Sequence, residues 1–320
     1  EAVVPETGST AKTQLIALGI MLGLVGATTS VLILAMGDQN IRTVEEAKKT
    51  FGYTLLGIIP MFKSKRLSRY FQGEKATPDI AVVEASDSFI SEIYRMLQAN
   101  LKFLSSDKRI KTIVVTSSVP KEGKSTVSAN LAATLAQLGY RVMLIDADMR
   151  QPSQHHLWGL TNAVGLSDIL VGQAELSSVI RQGIERLDII PAGVTPPNPL
   201  ALLDSKRMTS LIRNFSEDYD FVIIDTPPLI LAADALTLSQ MASGVLLVAR
   251  PRVLDRASAN SAKEMLERSG QRVLGLVVNA ISKNESAQYF YHAKRYFPSR
   301  KSNRRDQNKL PTQVNYYSKK

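Results

Sequence analysis

The sequence predicts an α/β protein in which a doubly wound, mostly parallel sheet is preceded by one transmembrane helix. Three observations carry that prediction. Leu15 to Met36 reads LIALGIMLGLVGATTSVLILAM, without a charge. Beyond it, short β-branched runs alternate with helical patterns, as in sheets covered by helices on both faces. Three of those runs end in aspartates or lead into Gly-Lys-Ser-Thr, and ligands in such folds bind at the carboxyl ends of the strands.

Residues 1–14 read as an extracytoplasmic stub and 15–36 as the membrane helix. At 1.5 Å rise per residue the uncharged run spans roughly the 30 Å hydrocarbon core. It is longer than the apolar region of a signal peptide, no basic segment precedes it, and a core helix would show a polar face. Before it only Lys12 is basic, whereas Arg42, Lys48, Lys49, Lys63, Lys65, Arg66, Arg69 and Lys75 follow. The positive-inside rule then puts everything after Gly37 in the cytoplasm. A chain opening at Glu1 on the outer side is expected to be a fragment whose upstream portion crossed the membrane first. Gly19, Gly23 and Ala27 share one helix face, which suits close approach of a second helix and equally the ordinary glycine content of a membrane helix.

Residues 37–83 read as a cytoplasmic connector. Thr43 and Glu46 resemble a capping box opening a short helix, and Leu55 to Ile59 ends at Pro60 like a brief strand. A basic, polar stretch then runs through Pro78. The folded domain is expected over 84–284, where Phe89, Ile93, Leu97, Leu101 and Leu104 return at helical spacing. Strand runs follow at Thr112 to Thr116, Val142 to Ile145, Leu187 to Ile190, Phe221 to Ile224, Val245 to Ala249 and Val273 to Val278. Residues 285–320 form a tail with nine Lys or Arg against Glu285 and Asp306, which holds most of the net charge of +10. Such a tail is ordinarily solvated, and no nucleic-acid partner is expected. The chain has no cysteine, which excludes disulfides, thiolate metal sites and cysteine nucleophiles.

The stretch VTSSVPKEGKST carries the first site. Ser118 stands where the P-loop pattern G-x-x-x-x-G-K-[ST] has its first glycine, followed by Gly123, Lys124 and Ser125 and by a helical pattern from Thr126 to Leu138. Gly123 permits close backbone approach, amides from Lys121 through Glu122 to Thr126 face phosphate oxygens, and the helix N-terminus adds partial positive charge. Lys124 is expected at the β and γ phosphates and Ser125 at Mg²⁺. Asp146 and Asp148 in LIDADMR, and Asp225 in FVIIDTPP, sit just beyond strand runs. Carboxylates there are expensive unless they hold a metal or a proton in transit, although one of them could cap a helix.

In that order, SSVPKEGKST, LIDADMR and IIDTPP resemble the bacterial tyrosine autokinases tied to polysaccharide export, built on a P-loop NTPase fold of the partition-ATPase kind. The preceding span and the connector with its Ile41-Arg42-Thr43 resemble the chain-length regulators fused to such kinases. The resemblance implies ATP and Mg²⁺ as cofactors, Lys124 and Ser125 on the phosphates and metal, Asp146 as the base, and Asp148 and Asp225 as metal support. It also implies an inner-membrane location with a cytoplasmic kinase domain, a polysaccharide export machinery and a phosphotyrosine phosphatase as partners. The related partition ATPases carry a lysine after the first P-loop glycine, where this chain has Val119. Asn279, after the last strand run, suits an adenine contact or a turn.

Five tyrosines, Tyr289, Tyr291, Tyr296, Tyr316 and Tyr317, fall in the tail. By the resemblance they are candidate phosphoacceptors for a neighbouring subunit; the segment from Tyr289 to Phe297 also reads as an amphipathic piece resting on membrane or sheet. EIYRMLQAN resembles the family's ring-forming motif, with Glu92, Arg95 and Asn100 in place and Gln98 where a second arginine is expected. Glu92 and Arg95 are equally simple partners on a helix surface. Two functions fit: a membrane-anchored tyrosine autokinase in a homo-oligomeric ring, or a nucleotide-gated structural subunit with little kinase activity.

Overall fold

A computed structural model describes residues 8–37, 39–62, 80–86, 88–104, 109–282 and 285. The five tail tyrosines and the basic stretch of the connector lie outside these residues. Helix α1 runs Gly8–Gly37, over 30 residues, and its side chains are described from residue 14 to residue 30, all of them exposed. Among the described residues no helix is long and apolar enough to cross a membrane; those side chains stop at Ser30, short of the end of the uncharged run.

The other described residues build one eight-stranded sheet with helices on both faces. The strands are β1 (Leu55–Pro60), β2 (Thr112–Ser117), β3 (Val142–Asp146), β4 (Arg181–Ile184), β5 (Leu187–Ile190), β6 (Phe221–Asp225), β7 (Gly244–Ala249) and β8 (Val273–Ile281). Their order is β1-β8-β7-β2-β6-β3-β5-β4, parallel throughout except that β4 runs antiparallel to β5. Side chains alternate between two cores, as the two-residue period of a strand requires. From β7, Val245, Leu247 and Ala249 enter one layer while Leu246 and Val248 enter the other. Helices α2 (Val44–Phe51), α10 (Lys206–Asp218) and α12 (Arg256–Arg268) cover the first layer, and α4 (Phe89–Phe103) and α5 (Lys124–Gln137) cover the second. The remaining described helices are short: α3 (Ala81–Glu84), α6 (Gln154–Trp158), α7 (Leu166–Val171), α8 (Leu176–Val179), α9 (Pro199–Leu203) and α11 (Asp234–Ser239).

The expected boundary at residue 84 does not separate a connector from a domain. Strand β1 pairs with β8, Leu55 opposite Leu276 and Ile58 opposite Val278, so the connector supplies an edge of the sheet. Thr43 caps α2 by accepting the Glu46 N–H, and Glu46 answers by accepting the N–H of Arg42 at 2.9 Å rather than that of Thr43. The helix ends at Gly52, whose φ of +73° suits glycine. Val44, Ala47 and Phe51 point inward, and the Ile41 N–H bonds the Leu254 carbonyl at 2.8 Å. Pro60 closes an edge strand, where a missing donor is tolerated.

Strand β4 was not expected, because RQGI has no apolar alternation; its half-buried residues gain order from β5. The helical spacing read between Glu84 and Leu104 is that of α4, which begins at Phe89 and is capped by Ser88; the short α3 ends at Glu84. On α4, Arg95 meets Glu92 at 3.2 Å with both side chains more than a third exposed. Asn100 is engaged within the chain: its amide donates to the Leu56 carbonyl at 2.8 Å and ties α4 to β1.

Candidate functional site

The order β2-β6-β3 brings the three motif-bearing strand ends side by side. Asp225 faces Val115 on one neighbour and Asp146 on the other. The phosphate loop leaves β2 and turns into α5. Lys121 has φ +68° and Gly123 φ +88°, and a Cβ on Gly123 would overlap the carboxamide of Asn279. Glycine is therefore required there by both backbone angle and close approach. Ser118 is not among the positive-φ residues, which explains why the loop accepts serine at its first position.

The loop is pinned from below. Glu122 is fully buried and accepts the Val119 N–H at 2.7 Å and the Arg250 N–H at 3.0 Å. Burial pushes its carboxyl up to about 8, against those hydrogen bonds. The Asn279 amide donates to the Glu122 carbonyl at 2.9 Å, so Asn279 serves the loop's turn through its Nδ2. Arg250 also donates to the Lys121 carbonyl at 3.2 Å.

On the upper side, Lys124 Nζ lies 2.8 Å from Asp148, 3.7 Å from Asp225 and 3.1 Å from the Ser125 hydroxyl. Burial alone would lower this lysine, yet the carboxylates of Asp225 and Asp148 hold it above its ordinary value. Asp146 is fully buried: Oδ2 accepts the N–H groups of Ser153 and Gln154, both at 2.9 Å, and Oδ1 that of Asp148 at 3.2 Å. Burial and the neighbouring Asp225 push its carboxyl up to about 8 in spite of those donors. Asp225 is raised as well by burial, opposed by Lys124 and by hydrogen bonds from Ser125 and Gln154.

A cavity of about 380 Å³ opens over this arrangement, lined by Lys121, Gly123, Lys124, Ser125, Thr126 and Asp148, with His156 and Pro228 at its walls. Of the expected site residues, these six face the cavity. Ser118 and Glu122 lie beneath the loop, and Asp146 and Asp225 lie behind Asp148 and Ser125. Glu92, Arg95 and Asn100 are on α4, away from it. A second cavity of about 370 Å³, near the amino ends of the strands, contains none of the phosphate-loop or aspartate-motif residues; Gln98 of α4 lines it. Sequence reading missed Gln154, Arg250 and Ser128, which bind the motifs together through contacts that no local pattern announces.

A glycine-bearing loop between a buried strand and a helix N-terminus, with its lysine among strand-end carboxylates, defines a P-loop nucleotide-binding domain. Residues 109–310 match the ParA family, described as NUBPL iron-transfer P-loop NTPase; a chain without cysteine has no thiolate for iron. Tyrosine-protein kinase YwqD of Bacillus subtilis (strain 168) is 36% identical over 222 residues, covering 69% of this chain and 94% of that protein. Tyrosine-protein kinase etk of Escherichia coli (strain K12) is 33% identical over 288 residues, 86% of this chain but 39% of that protein. Among solved structures, the kinase domain of Escherichia coli tyrosine kinase ETK superposes with a TM-score of 0.68 at 31% identity, covering 75% of this chain and 95% of that one. The chimerical protein CapA2B2 gives 0.68 at 35% identity, covering 75% and 100%. The chain belongs to the bacterial tyrosine-protein kinase family.

Proposed function

We propose that this tyrosine kinase is a membrane-anchored autokinase that uses ATP and Mg²⁺ and regulates the polymerisation and export of a polysaccharide. The observation that carries the reading is the convergence of Lys124, Ser125 and Asp148 on one cavity, backed by Asp146 and Asp225. Phosphoryl transfer asks the protein mainly for positioning, charge neutralisation and a base. Lys124 neutralises the β and γ phosphates, and the amides at the start of α5 cradle them. Among the described residues no three acidic, His or Cys side chains form a metal cage. A P-loop Mg²⁺ does not need one, since it keeps several waters and takes few protein oxygens besides phosphate. The Ser125 hydroxyl and Asp148 would hold it, with Asp225 behind them, and Mg²⁺ would supply charge neutralisation at the phosphates. Asp146, next to the site on the neighbouring strand end, would take the proton of a tyrosine hydroxyl that reaches it past Asp148.

The membrane anchor is supported by the uncharged run from Leu15 to Met36 and by Leu15, Ile16, Ile20, Met21, Leu22 and Leu24, each more than half exposed on α1, a surface that water disfavours. With the basic residues that follow, this favours the cytoplasmic membrane with the kinase domain inside. Ring assembly through Glu92 and Arg95, acceptor tyrosines in the tail, and a phosphatase and an export machinery as partners complete the reading. The purified chain incubated with ATP and Mg²⁺ should acquire phosphotyrosine, and Lys124→Met should abolish it while leaving the fold intact. Equal phosphotyrosine in the two proteins would overturn the kinase site.

A further inference from the structure

Gln154 belongs to none of the motifs, yet it touches all three. It is fully buried at the start of α6. Its backbone N–H donates to Asp146 Oδ2 at 2.9 Å, and its carboxamide nitrogen donates to Asp225 Oδ2 at 2.8 Å and to the Ser125 carbonyl at 3.0 Å. The Ser125 carbonyl can only accept, so the amide presents its NH₂ to that side and to Asp225. The carboxamide oxygen then has no hydrogen-bond partner among the described residues.

We propose that Gln154 is the positioning residue that locks the phosphate loop and both aspartate motifs into one unit. By holding Oδ2 of Asp225 it leaves Oδ1 turned to Lys124, 3.7 Å away, and Ser128, 3.5 Å away. Through the Ser125 carbonyl it fixes that carboxylate relative to the residue whose hydroxyl lines the cavity. Through its own N–H it carries Asp146 along. Gln154 does not line the cavity, so it acts on nucleotide and metal only through these three residues. The inference rests on the phosphoryl-transfer reading of the site.

The test compares Gln154→Met, which keeps the volume and loses both side-chain donors, with the unsubstituted 320-residue chain in detergent. Calorimetric titration with ADP, in EDTA and in Mg²⁺, separates phosphate cradling from metal support, and autophosphorylation gives kcat and KM for ATP. Affinity in EDTA should stay within about twofold, while the gain in affinity on adding Mg²⁺ and kcat should each fall about tenfold, the loss of one charge-assisted hydrogen bond. A native Mg²⁺ gain and kcat would overturn the assignment. An equal fall with and without Mg²⁺ would overturn it too, making Gln154 a residue of the pocket's packing. Should melting show that the Met variant is unfolded, Gln154→Asn, too short to reach Ser125 and Asp225, decides by the same two readings. Absence of ATP-dependent phosphotyrosine in the native chain would instead strike the underlying reading of the site.

Discussion

At the scale of single residues, the carboxylates divide by their surroundings. Asp148 faces the cavity and pairs with Lys124, while Asp146 is buried and saturated with backbone donors. Asp148→Asn should therefore raise the Mg²⁺ needed for half-maximal phosphorylation, and Asp146→Asn should retain ATP binding and lose transfer by about 10²-fold or more. Identical Mg²⁺ titrations for the two variants would show that the division is wrong. A pH dependence follows from the same burial. Glu122 moves from an ordinary 4.5 to about 8, so across that window the folded chain keeps a proton that the unfolded chain has released. Stability contributed in this way is complete below the ordinary value and lost as pH rises through the folded one. Asp146 and Asp225 act with the same sign. Melting temperatures in EDTA should fall from pH 5 to pH 8. Glu122→Gln, which does not titrate, should reduce that slope by at most about 1.4 kcal/mol per pH unit; an unaltered slope would count against a protonated Glu122.

At the scale of elements, the connector belongs to the kinase fold. Strand β1 closes one edge against β8, and Ile41, Val44, Phe51, Leu56 and Ile59 are buried in the two cores. A protein starting at residue 84 would expose the β8 edge and the apolar surface these side chains cover, a combination that promotes aggregation. We expect it to be insoluble or to melt with low cooperativity, whereas one starting at residue 39 should elute as a folded species from a sizing column. Phe51→Ala in the full chain should cost about 3–5 kcal/mol, as other large-to-small changes in cores do. A loss below about 1 kcal/mol in denaturant titration would mean that α2 is only loosely attached.

At the scale of the whole molecule, residues 39–41 and the end of β8 lie on the carboxyl-end side of the strands, the side on which the phosphate loop leaves β2. Gln39 and Ile41 bond the loop that follows β7, and Asn279, near the end of β8, touches Glu122. A tail leaving there extends at most about 3.5 Å per residue, so Tyr316 and Tyr317 have a longer reach than Tyr289 and Tyr291. Kinase-dead Lys124→Met protein mixed in one detergent particle with an active protein lacking residues 285–320 should become phosphorylated, the distal pair at least as readily as the proximal pair. Label that fails to appear on the Lys124→Met chains would refute transfer between subunits.

What the sequence determined by itself was local. Strands such as Leu187–Ile190 and Phe221–Asp225, the Thr43 cap and the three motifs are legible because composition, period and spacing act over a few residues. The tertiary structure alone decided which side chains meet. Glu122 and Arg250 stand 128 positions apart, Gln154 and Asp225 71, and Asn100 and Leu56 44. Burial and hydrogen-bond partners at such separations are set by strand order, which no local pattern encodes. That is why the Glu122 side chain proves a pin beneath the loop, why residues 37–83 read as a connector and yet supply α2 and β1 to the fold, and why Gln154 carries no signal until β3 and β6 lie side by side.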